Sequence, residues 1–197
     1  MKNNYFNPFQ MGHLSQFLSE RSKKINSLVN KLKFQDVEQD DTFESRKQRI
    51  KDEILITPVS IDAPVFKDFE HEERDIKPQQ RFFDSQPSRD NYVHEVSFPY
   101  TGSRELFDYV SSGYSTYSSD HGLIKPSTSN SISVYVDLGE ISPEIAVNKS
   151  QSLMRLTKEI VERNSNEVKI WNTSIEKHID EVMEAKRDEL FRIFGKK

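Results

Sequence analysis

The side chains able to do chemistry are scattered through this chain. Its five histidines, at positions 13, 71, 94, 121 and 178, include no pair at the i,i+3 or i,i+4 spacing that sets two ligands on one helical face. His71-Glu72-Glu73 is the densest local donor set, but adjacent side chains in irregular chain seldom converge on one ion, and it reads as a solvated charged loop. Asp120-His121 stands inside the serine-rich stretch 111–131. A nucleophile–base pair there would also need an orienting acid and an oxyanion site, and so many serines bring one near a histidine by composition alone. The absence of cysteine removes disulfides, thiolate ligands and cysteine nucleophiles together, and suits a reducing cytoplasm. The six glycines stand apart, outside any P-loop or GxGxxG pattern, so nothing cradles a nucleotide phosphate. No cofactor and no metal are expected.

Two dispersed arrangements remain. Metal-dependent nucleases commonly hold magnesium between an acid and a strand carrying Glu-x-Lys. The strand-like runs Tyr92-Val93-His94-Glu95-Val96 and Ser133-Val134-Tyr135-Val136-Asp137 lack that lysine, which leaves a hydrolase or nuclease with a dispersed acidic site, around Glu95 or Asp137, as the third-ranked reading. Arg46, Lys47, Arg49 and Lys51, close in sequence to Arg21, Lys23, Lys24, Lys31 and Lys33, could contact phosphates. A nucleic-acid-binding accessory using these helices is the second reading, weakened by the interleaved Glu20, Glu44 and Asp52. Charge along the chain runs +4 over residues 1–51, −9 over 52–140 and +1 over 141–197. The acidic middle argues against a sheet built to grip phosphates.

The elements that would position these groups are read from periodicity. Leu14, Phe17, Leu18, Ile25, Leu28, Val29 and Leu32 recur at helical spacing over about 12–34. A shorter helix at about 42–55 carries Phe43, Ile50 and Ile54, and the short polar link 35–41 lets the two fold back as a hairpin. Residues 58–91 lose the pattern among four prolines and isolated aromatics, Phe66, Phe69, Phe82 and Phe83. That predicts irregular chain wrapped on the core. Tyr92, Val96, Phe98 and Tyr100 suggest a half-buried strand, with Pro99 marking an edge or strand end. Residues 103–110 suggest a helical turn or two. Ile132, Val134, Val136 and Leu138 give the clearest strand.

The strongest pattern is the apolar stripe of the last quarter: Leu153, Leu156, Ile160, Val168, Trp171, Ile175, Ile179, Val182, Leu190 and Ile193. With Asn164 and Lys186 counted, its steps of three and four average close to 3.6, a straight amphipathic helix and not a strict heptad. Ser142-Pro143-Glu144 is a helix-start signal, and a break near 148–150 or at Asn164-Ser165-Asn166 is possible on the sequence. The best-supported span is 150–194, with Gly195 as the stop. Such a helix would extend about 70 Å, further than a domain with 34% hydrophobic residues is expected to cover. A partner chain is therefore expected along Leu156, Ile160, Val168, Trp171, Ile175, Ile179 and Val182, with Trp171 as anchor.

The order Tyr92-Val93-His94-Glu95-Val96-Ser97-Phe98-Pro99-Tyr100-Thr101-Gly102, Leu106-Phe107-Asp108-Tyr109, the strand at 132–138, and a helix with Asn172, Ile175 and Lys186-Arg187 resembles a poorly characterised bacterial region. That region is associated with restriction-endonuclease-like and phage-defence proteins. The resemblance spans residues about 92–195, brings no catalytic residue with it, and implies an accessory part of a defence complex.

The expected fold is α+β: an N-terminal helical hairpin (1–57), an irregular segment with a small antiparallel sheet (58–140), and a long C-terminal amphipathic helix (141–197). The expected function is a non-enzymatic protein-interaction or assembly module, either homo-oligomeric or joined to a partner subunit. No run approaches the roughly 18 apolar residues of a membrane span, and a cytoplasmic location without membrane contact is expected.

Overall fold

The computed structural model describes residues 9, 11–67, 93–111, 124–126, 130–137 and 142–195. The fold is α+β, with helices α1 (Leu14–Val29), α2 (Asp40–Ile54) and α3 (Pro143–Phe194), and strands β1 (Ser60–Ile61), β2 (Val65–Lys67), β3 (Val93–Thr101), β4 (Ile124–Pro126) and β5 (Ser131–Asp137). His71-Glu72-Glu73, Asp120-His121, Tyr92, Phe69, Phe82 and Phe83 lie outside the described residues. Two compact units form, and they do not follow chain order. Described residues 60–67, 93–101, 124–126, 130–137 and 142–159 belong to one, and 9, 11–59, 102–111 and 160–195 to the other.

The first unit is an antiparallel sheet in the order β1-β3-β5-β4, with β2 also paired to β3. Val96 lies opposite Val134 and Phe98 opposite Ile132. Strand alternation therefore puts these four on one face, where all are buried. In this unit α3 buries Ala146, Ser150, Met154 and Thr157, spaced to share one helical face, and its Lys158 ammonium stands 4.9 Å over the Phe98 ring. Glu95, Ser97 and Ser133 occupy the other sheet face, also buried. There the Ser133 hydroxyl donates to Glu95 Oε1 at 2.5 Å, and the Lys67 ammonium is 3.5 Å from the same oxygen. β1 and β2 order part of the segment expected to be irregular. Strands of two and three residues are too short to leave a periodic signal in the sequence.

α3 runs unbroken from Pro143 to Phe194, so neither expected break forms. At the first, the Ser150 hydroxyl donates to the Val147 carbonyl at 2.7 Å and that of Ser152 to Asn148 at 3.2 Å, which satisfies the polar side chains without opening the helix. The Ser142 hydroxyl accepts the Ile145 N–H at 3.4 Å, an N-cap bond at the start signal.

The second unit packs α1, α2 and the rest of α3 around Ile25, Val29, Val37, Phe43, Ile50, Ile54, Ile175, Ile179, Met183 and Leu190. α1 stops at Val29, short of the expected 34, where Lys31 and Leu32 turn back to the carbonyls of Leu28 and Val29. Leu32 and Phe34 still pack on this core from the following turn, so the apolar periodicity outlasts the helix. After α2 the chain runs without regular structure through residues 55–59. It passes Gly102, whose φ of +97° favours glycine and where a Cβ would overlap the Pro58 carbonyl and sit 2.8 Å from Val59 Cα. A 3-10 turn at Arg104–Phe107 follows.

Candidate interaction surfaces

The sequence from residue 40 to 59 runs antiparallel along α3 from 187 back to 165, joined at each step by a polar contact. Arg187 pairs with Asp40. Lys47 reaches Glu184 at 3.0 Å and Glu44 at 2.9 Å, and Lys51 reaches Glu176 at 3.2 Å and Asp180 at 2.9 Å. The i,i+4 spacing of Lys47 and Lys51 matches that of Asp180 and Glu184, so two helical faces of opposite charge meet along one seam. Burial pulls both ammonium groups down, and the hydrogen bonds to their carboxylate partners outweigh it, leaving Lys47 and Lys51 above their ordinary pKa. The Phe43 ring lies beneath this seam, with the Lys47 ammonium 4.7 Å and the Arg187 guanidinium 4.6 Å from its centroid.

Beyond α2 two hooks on α3 continue the seam. The Asn172 amide accepts the Ile56 N–H at 3.2 Å and donates to the Ile56 carbonyl at 2.7 Å. The Ser165 hydroxyl accepts the Val59 N–H at 2.9 Å and donates to the Val59 carbonyl at 3.0 Å. Seven helical residues rise about 10.5 Å and three extended ones span about 10 Å, so hooks two turns apart meet peptides three residues apart. Asn164, buried in the seam, donates to the carbonyls of Leu106 at 2.8 Å and Tyr109 at 2.7 Å. Arg21 of α1 closes the other side, its guanidinium donating to the carbonyls of Ile54 at 2.7 Å and Glu53 at 3.0 Å. The polar interruption that suggested a break in α3 is thus the means by which two irregular segments are held to it.

Most of the α3 stripe expected at a partner interface is spent inside the chain. Ile160, Val168, Ile175 and Ile179 are buried, while Trp171 and Val182 are half-buried and packed against the core of the second unit. Leu156, in the first unit, is half-buried. The covering elements, α2 and the segment after it, carried too weak a stripe of their own to be matched to α3 by sequence. The cover stops at Leu190: Ile193 is 57% exposed, Phe194 55% and Phe191 38%. Phe34 reaches this last turn, its ring centroid 5.3 Å from that of Phe191 and 6.0 Å from that of Phe194. Phe191 and Phe194 were missed in the sequence, since they fall beside the stripe, although their i,i+3 spacing marks a shared face.

The four candidate phosphate contacts separate. Lys47 and Lys51 are almost fully covered and committed to α3. Arg46 and Arg49 turn to the opposite side of α2, where a cavity of about 470 Å³ is lined by Leu28, Lys31, Leu32, Lys33, Gln35, Asp36, Arg46, Arg49, Ile50 and Glu53. Asp36 organises its rim, one carboxylate oxygen accepting the Lys33 N–H at 2.9 Å and the other pairing with Arg46 at 2.8 Å.

The two candidate acids stand on adjacent strands, two pairs apart in the β3–β5 register. Glu95 is taken up by Ser133 and Lys67 on the sheet, and Asp137 pairs in register with Val93 at the far end of β5. Among the described residues no group of three His, Asp or Glu is placed to hold a metal ion, and no helix is long and apolar enough to cross a membrane. Compared with known protein families, curated proteins and solved structures, the chain matches none.

Proposed function

We propose that this protein is a non-enzymatic interaction and assembly module that meets another protein chain at the last turn of α3. The observation that carries the reading is the exposed end of an otherwise covered stripe, Phe191, Ile193 and Phe194. Large apolar side chains grouped at one place, in a chain so lean in them, are what a contact surface leaves when the partner is away. The occupant is a second copy. Beside the two phenylalanines Asp188 and Arg192 lie exposed one turn apart, and a two-fold antiparallel contact would set each aspartate against the other copy's arginine. Three part-exposed side chains fall well short of the roughly 800 Å² per partner of a stable interface, so the association is weak and concentration-dependent. The setting in a bacterial defence complex rests on the sequence resemblance alone.

The lack of native cysteine supplies a clean test. When chains carrying Asp188→Cys are mixed with chains carrying Arg192→Cys, mild oxidation should link them into a disulfide-bonded dimer, whereas chains carrying Lys177→Cys, at a side chain that is 81% exposed, should not link. Equal cross-linking in both cases, or none in either, would refute the contact.

A further inference from the structure

The cavity beside the α1–α2 connection has a positive charge that the described residues leave uncompensated. Lys31, Lys33 and Arg49 on its wall make no ion pair among the described residues. Arg46 is matched by Asp36, and Glu53 is the only other acid in the lining. The balance is a surplus of two positive charges around an apolar floor of Leu28, Leu32 and Ile50. The volume lies within the range of about 300–1,000 Å³ typical of ligand sites.

We propose that this cavity receives an acidic segment of a partner protein, seating one large apolar side chain on Leu28, Leu32 and Ile50 and its flanking carboxylates on Arg49, Lys31 and Lys33. The proposal rests on the reading of the chain as an interaction module and supplies the chemistry of a partner other than a second copy. Both halves of the recognition are needed. The apolar floor offers nothing to a phosphate backbone, and a surplus of two positive charges is small against a strand that carries a charge at every step. A carboxylate-flanked apolar side chain meets the floor and the cations together, and Asp36 keeps Arg46 extended along the rim without taking up the remaining surplus.

The test is an array of short synthetic peptides in which one Phe, Leu or Trp stands among Asp and Glu, beside counterparts with Ser at the apolar position, titrated against the whole chain. The apolar acidic peptides should bind, the serine peptides should not, and Arg49→Glu or Lys31→Glu should each weaken binding by about tenfold or more. Both residues are exposed, so these variants keep the fold, as circular dichroism would verify. Binding by none of the peptides, equal binding by the serine peptides, indifference to both variants, or displacement by a single-stranded oligonucleotide at equal charge would each overturn the proposal. Self-association of the Arg49→Glu chain, measured in parallel, separates failure of this cavity from failure of the interaction reading as a whole.

Discussion

At the residue scale the informative groups are charged side chains withdrawn from water. Lys51 keeps only 14% of its side chain exposed and lies between Glu176 and Asp180. Glu176 and Asp180 keep 50% and 42% of their side chains exposed, so water takes up part of the lost counter-charge and Lys51→Ala costs about 1 kcal/mol. The pKa in the folded protein is raised above 10.5. The stabilisation is therefore complete below that value and lost as pH climbs through the raised folded value. Urea denaturation should show Lys51→Ala below the wild type at neutral pH, with the gap narrowing in strong alkali; a gap constant with pH would mean the ammonium charge contributes nothing. The sequence displayed Arg46, Lys47, Arg49 and Lys51 as one basic run. It could not say that alternate members face opposite ways, because the partner acids stand more than 120 residues later.

At the element scale the polar residues within an apolar stripe acquire their meaning. Asn164, Ser165 and Asn172 weaken the stripe when read along α3, yet they hold the end of the 3-10 turn near residues 106–109 and the extended segment 56–59, which has no regular structure of its own. Asn172→Ala leaves the Ile56 peptide groups unmatched and Ser165→Ala those of Val59, and each should cost about 1–3 kcal/mol. Because both hooks grip one segment, the double variant should lose less than the two single losses added. Simple additivity in thermal or urea unfolding would mean the segment is not held as a unit, and exposed Thr173→Ala, within about 0.5 kcal/mol of wild type, serves as the control. The long helices and the two main strands were legible because their periods persist over many residues. β1, β2 and the hooks were not, since what defines them is a contact across the chain and not a local pattern.

At the scale of the whole molecule, the burial problem posed by the α3 stripe is largely solved within the chain and left open at one place. Of the residues first expected to meet a partner, Ile160 and Val168 are buried, and Ile175, Ile179, Trp171 and Val182 belong to or pack on the core formed with α1 and α2. The expectation of a partner survives in a narrower form, confined to Phe191, Ile193 and Phe194, with a separate cation-lined cavity on the far side of α2. A net charge of −4 keeps copies apart only gently at physiological salt, where screening acts within about 8 Å, so weak apolar association is not suppressed. The most direct measurement is light scattering of the purified chain over a rising concentration series, beside the double variant Ile193→Ser, Phe194→Ser. The wild type should move from monomer towards dimer while the variant, equally folded, remains a monomer. A wild type that stays monomeric throughout, or a variant that associates just as well, would contradict the assignment of the last turn of α3 as the contact.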